Sequence, residues 1–468
     1  MKAILNKISV VLIGILCAIS IQSCSEDSAF TPEPFVVAFS NLSGNLQEIE
    51  TSTNIALEYS EIAEQQGTVT ISISAENATY GIDFKTQPEA NNNEITLSIN
   101  SGELTNGLTF EKLNPFLDET TAINFQITNI DYSNSNIQGY TKFTLNSSAA
   151  LGGHLLPNIG GPNEANQVYI DLSSKAQTEV QRDSWDLGFY SGDAFRVTIN
   201  GSVYMAAGAT TFTNIDQVNT ANTSDLKKLV AVGTFDPENE AYIDAPSGNI
   251  LETAIAEVSE NDAENKVYLV NLGYEVGTIK PVNGSVAVAS DHRGYKKIRV
   301  LQRDNHYLLQ YADLEATTHQ EISIPKTPDF NFTHFSFNSN AIVNVEPEKE
   351  QWDVCFTVFT NVIEGSGSYG YSDFVKHNRL GGTSAYVVEV SNIPYADFNL
   401  ASIDQSLFLE DQTIIGSNWR DVFTNAADSN YYFIIKDPND NLYKLRFLAM
   451  SNNQGERGHP EFEYELLQ

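Results

Sequence analysis

From Phe35 to the C terminus, apolar residues recur at every second position far more often than at helical spacing. Runs such as GTVTISIS (67–74), AINFQITNI (122–130) and LYKLRFLAM (442–450) alternate in this way. Successive side chains on a strand point to opposite faces, so this pattern suits strands with one buried face. Clusters of Asn, Gly, Asp and Pro, the residues that turn a chain, separate the runs. Helical spacing is confined to 222–230 (NTSDLKKLV) and 250–258, where short helices are expected. The chain therefore reads as a mostly-β protein. Its hydrophobic content of 41% is enough to fill cores between sheets.

The first residues stand outside that pattern. Lys2 and Lys7 precede the apolar run 8–21, which is too short to span a bilayer. The run ends in Ile21-Gln22-Ser23-Cys24, which resembles a bacterial lipobox with Cys24 as the lipid-bearing residue. The acidic Ser-Glu-Asp-Ser that follows resembles the export signal of Bacteroidetes surface lipoproteins. This implies a signal peptide over 1–23, a polar Pro-bearing tether over 24–34, and lipid anchorage in the outer membrane, facing outward. Cleavage leaves Cys24 and Cys355, and an acylated Cys24 cannot pair, so cores rather than disulfides must hold the fold.

Residues 35–146 offer about seven short strands, as an immunoglobulin-like β-sandwich requires. Within them, ATYGIDFKTQP, SGELTNGLTF and FLDETTAINFQITNI resemble the Calx-beta module. That resemblance implies calcium at one end of the sandwich, through Glu48, Asp83, Asp118 and Glu119. Ala122 and Asn124 stand where further acids could lie, and the same carboxylates also suit solvated turns.

The Gly- and Pro-rich stretch 147–164 marks a boundary. Beyond it the chain repeats itself. QRDSWDLGFY (181–190) returns as EKEQWDVCFTVF (348–359), and these two frames hold two of the three tryptophans. An apolar strand precedes each frame: VYIDL before Trp185 and FTHFSF before Trp352. Hairpins close both copies, KVYLV with GYKKIRV and YYFII with LYKLRFLAM. The alternation places each indole in a core, with the neighbouring carboxylate facing out or bonding backbone at the strand's start.

These motifs, in one order twice over, resemble the HmuY family, β-rich lipoproteins of Bacteroidetes. The resemblance divides 147–328 from 329–468 as two tandem HmuY-like units. It implies haem capture and hand-over to an outer-membrane receptor. Haem iron takes axial ligands from His, Met, Cys or Tyr. The candidates are His377, in YGYSDFVKHNRLGG, and Met205, in SVYMAAGA; His377 corresponds to Ile199 of the first copy. The copies share no His, which argues against two identical haem sites.

No nucleophile elbow, zinc-protease motif, P-loop or dinucleotide fingerprint is present in the sequence, so a non-enzyme is expected. With 60 acidic and 26 basic residues the surface repels phosphate backbones, and nucleic acid is not an expected partner. The leading expectation is a surface-anchored ligand-capture lipoprotein. The alternative is a non-enzymatic adhesin or a glycan- or receptor-interaction protein of the outer membrane.

Overall fold

The computed structural model describes residues 34–46, 49, 51–115, 117, 121–146 and 151–467. The leader, Cys24 and the tether to residue 33 lie outside the described residues. No described helix is long and apolar enough to cross a membrane.

The N-terminal unit is a sandwich of two five-stranded sheets. One holds Phe35–Phe39, Ser52–Tyr59, Phe84–Gln87, Thr105–Lys112 and Ser135–Asn136; the other holds Ser43–Asn45, Gly67–Glu76, Glu94–Ile99, Ala122–Asp131 and Lys142–Asn146. Alternation works as the sequence demands: in Gly67–Glu76, Val69, Ile71 and Ile73 are buried while Thr70 and Ser72 are only half-covered. Val37, Leu57, Ile71, Phe110 and Phe125 meet in one core from both sheets. Of the calcium candidates, Glu48, Asp118 and Glu119 lie outside the described residues. Asp83 is a turn residue. Its carboxylate accepts the Thr79 backbone N–H at 2.8 Å and the Asn114 amide at 2.9 Å. Among the described residues no group of three His, Cys, Asp or Glu could hold a metal ion.

The two repeats exchange strands. The opening strand of the first copy, Asn166–Ile170, pairs antiparallel with the Trp-Asp strand of the second, Val354–Ile363. Reciprocally, Phe332–Ser336 of the second copy pairs with Leu187–Tyr190 of the first. The strands just before these two follow them into the same lobes. Gln320–Pro325 joins the sheet of Ala206–Ala209, Tyr268–Asn271, Tyr295–Arg303 and His306–Asp313. Gly152–Leu155 joins that of Ser384–Glu389, Tyr431–Lys436, Leu442–Ser451 and Arg457–Leu466. The cores follow the pairing: Phe335 and Phe337 pack with Leu187, Val270 and Ile298, and Val168 and Ile170 pack with Val354, Phe433 and Leu445. One lobe is thus continuous from Leu187 to Val343, and the other is assembled from the flanking segments. The unit of sequence repetition is not the unit of packing.

Two local expectations change. Residues 222–230 form two short helices, Thr220–Thr223 and Leu226–Leu229, rather than one. Residues 250–258 are not helical: Ile255 bridges Val197, and both Ile255 and Val258 are buried in the first lobe. Two inward apolar residues three apart imitate helical spacing there. In the closing hairpins Tyr268 pairs with Ile298 and Phe433 with Leu445. The longer first-copy connection is filled by a hairpin of its own, Tyr274–Val276 with Ala289–His292.

Candidate functional site

The exchanged strands bring both Trp-Asp pairs to the junction of the lobes. Each aspartate secures the opening strand of the other copy. Asp186 accepts the Phe337 backbone N–H at 2.6 Å, and its own N–H donates to Phe335 at 2.8 Å. Asp353 accepts the Leu172 N–H at 2.8 Å, and its own N–H donates to Ile170 at 2.8 Å. Of the two outcomes foreseen for the carboxylates, backbone bonding is the one observed. The environments differ. Asp186 faces the Arg293 guanidinium at 2.8 Å, both fully buried. Asp353 has Asp171 and Asp437 nearby, and burial followed by the Asp171 charge pushes its carboxyl well above the usual range.

Asn200 and Asn378 repeat the same support. Asn200 donates to the carbonyls of Arg182 and Trp185, and Asn378 to those of Lys349 and Trp352. Ile199 and His377, the residues before them, pair with Leu187 and Val354, the residues after each Trp-Asp. The two halves are therefore related position by position.

The indoles converge: Trp185, Trp352, Tyr169 and Cys355 belong to one buried cluster. Tyr169 meets the Trp352 ring edge-on at 5.0 Å, and His334 meets the Trp185 ring likewise at 4.7 Å. Trp185 Nε1 donates to Gln167 at 2.8 Å, whereas Trp352 Nε1 is buried without an acceptor. Phe332 holds the place of Gln167 in the second copy, and it offers no acceptor. Cys355 is free and fully buried, and burial pushes its thiol up to about 12, which makes it inert.

Between these rings lies a cavity of about 140 Å³. Both sequence-level haem candidates line it. His377 ends the strand Gly367–His377 and is fully buried. Its Nε2 lies 3.2 Å from the Glu410 carbonyl, and Nδ1 has no partner. Met205 is fully buried in the first-lobe core and reaches the cavity from that side. Ile199, the counterpart of His377, is on the wall as well.

Three further cavity residues escaped the sequence reading: His334, Glu346 and Lys376. Burial pushes His334 down to about 3 and His377 down to about 4, so both imidazoles are neutral at physiological pH. Burial pushes the Glu346 carboxyl up to about 7, although it accepts the Phe332 N–H at 2.8 Å. Lys376 lies with Nζ 5.8 Å from the Trp352 ring centroid. His334 could have been found as the counterpart of Tyr169. However, Tyr169 stands sixteen residues before Trp185 and His334 eighteen before Trp352, so counting from the Trp misses the match.

The family model for HmuY protein matches residues 163–320 and again 329–464. This chain belongs to the HmuY family. No curated protein matches it. Among solved structures it is similar to the apo HmuY analog of Tannerella forsythia, at 10% identity, covering 68% of this chain and 96% of that one, with a TM-score of 0.18. It is also similar to the apo Calx CBD1 domain, at 11% identity, covering 24% of this chain and 96% of that one, with a TM-score of 0.20. Both matched regions line the cavity, the first with Tyr169, Trp185 and Met205 and the second with His334, Trp352 and His377.

Proposed function

We propose that this HmuY-family chain captures a small ligand in the cavity between its repeats without altering it chemically. It does so outside the cell, anchored through Cys24 in the outer membrane and working with an outer-membrane receptor. Haem is the first ligand to test, and one observation carries that choice. His334, His377 and Met205, three side chains able to ligate iron, line the same cavity, with both imidazoles in the neutral, ligating form. A porphyrin is wider than 140 Å³ of space allows, so haem must part the cover, where Gln412 and Arg379 of one lobe bond Pro246 and Ser247 of the other.

Haemin titrated into micromolar protein is expected to shift its Soret band, and His377→Ala and His334→Ala to weaken the shift. An unchanged spectrum would overturn the haem assignment. Loss of metabolic palmitate labelling in Cys24→Ala tests the anchor. A second reading, glycan contact, draws on one surface feature. Phe235, 64% exposed, lies 5.7 Å from the Tyr369 ring, which in turn meets Tyr371 at 5.5 Å. Glycan binding without haem binding, lost in Phe235→Ala, would favour it.

A further inference from the structure

The cavity contains more unused polarity than iron ligation needs. Among the described residues no hydrogen bond or ion pair reaches Lys376 Nζ, the Tyr169 hydroxyl or the ring nitrogens of His334. Tyr169 is 2% exposed and His334 5% exposed. Buried polar groups are ordinarily hydrogen-bonded, while Lys376 is only half-buried. Tyr169 and His334 hold corresponding places on the two exchanged strands, one residue before the position that pairs with the start of the other copy's Trp-Asp strand. The same pairing that builds the fold therefore brings two unsatisfied groups, one from each repeat, to one space beside a cation. Trp185 and Trp352 provide apolar ring surface around them.

Size limits the occupant. Cavities of about 150 Å³ hold a molecule the size of benzene, and this one measures about 140 Å³. Aromatic walls favour a planar ring. Lys376 makes no ion pair and favours an anion, with Glu346 within electrostatic range of it, and the Tyr169 hydroxyl adds a donor. Glu346 shares the wall, but burial keeps its proton on up to about pH 7, so it meets an anion as an O–H donor.

Resting on the reading of this cavity as the capture site, we infer that in its closed form it binds a small aromatic carboxylate, ring against the tryptophans and carboxylate toward Lys376 and Tyr169. The test is titration of the full chain at pH 6.5 with benzoate and with its neutral analogue benzamide, read by calorimetry and by tryptophan fluorescence. Benzoate is expected to bind at least tenfold more tightly than benzamide. Lys376→Met is expected to remove that preference while leaving benzamide affinity within twofold. Equal affinities in the unmodified protein overturn the inference, whatever the variant does. A preference that survives Lys376→Met also overturns it. A parallel haemin titration separates the two claims. Benzoate binding without haemin binding upholds the carboxylate site and ends the haem assignment. Haemin binding without benzoate binding does the reverse. If neither binds, the cavity itself is not the capture site and both fall.

Discussion

Replacing Asp186 by alanine tests the strand exchange at its most buried point. The carboxylate is 0% exposed, its Arg293 partner 2% exposed, and their contact is 2.8 Å. Alanine strands the guanidinium, which keeps the Leu272 carbonyl at 3.1 Å, a long contact to Asn338 and a loose ion pair with the exposed Glu275 at 3.9 Å. It also leaves the Phe337 N–H without its acceptor. Breaking a buried ion pair from one side costs about 3–5 kcal/mol, and an orphaned buried N–H about 1–3 kcal/mol. The two overlap, so about 4 kcal/mol is expected. For a lobe of this size each kcal/mol moves Tm by about 2–4 °C, so Asp186→Ala should melt about 10 °C earlier by scanning calorimetry. Asp186→Asn, which keeps an acceptor for Phe337, should fall between. Arg293→Met added to Asp186→Ala should recover about 2 kcal/mol by removing the stranded charge. A Tm loss under about 2 °C, or a double variant less stable than Asp186→Ala, would refute this account of the clamp.

Stability should also fall as pH rises. Glu346 and Asp244 are each pushed up to about 7 by burial, so the folded chain holds their protons more tightly than the unfolded chain does. Folding then takes up protons between about pH 4 and 7, and each group withdraws up to about 4 kcal/mol across that window. Tm is expected to be higher at pH 5 than at pH 8, with a shallower slope in Glu346→Gln; an increase from pH 5 to pH 8 would contradict the burial argument. The tryptophans should differ. Trp185→Phe leaves Gln167 Oε1 without its donor, while Trp352→Phe removes a ring whose N–H had no acceptor. The first should cost about 1–2 kcal/mol more in urea unfolding, and equal losses would show the Gln167 bond to be worthless.

Much of the fold was legible because it rests on period-two alternation. Seven predicted N-terminal strands reappear, and the Trp-Asp frames locate two corresponding strands. Partner choice was not legible. VYI and FTHFS carry the same alternation, and nothing in it states whether a strand pairs within its own copy or with the other. The site was partly legible for a related reason. His377 and Met205 stood out as residue types able to ligate iron, and both reach the cavity. Glu346 and Lys376 look like ordinary surface charges in the sequence, and only the exchanged pairing brings them beside the tryptophans. The helix expected over 250–258 failed because a coil segment packing two apolar side chains inward leaves the same trace as one helical turn.

Strand exchange also imposes an order on synthesis. The lobe from Leu187 to Val343 is complete once its own residues have emerged. The other lobe must wait, since 181 residues separate Leu172 from Asp353, the group that secures it. At about 5–20 residues per second, Asn166–Ile170, buried along its whole length in the finished protein, spends about 10–40 s without its second neighbour. Its hairpin partner Gln177–Gln181 is available at once and is almost wholly polar and exposed. That strand can shield one edge of the nascent hairpin while presenting little of its own for another chain to join.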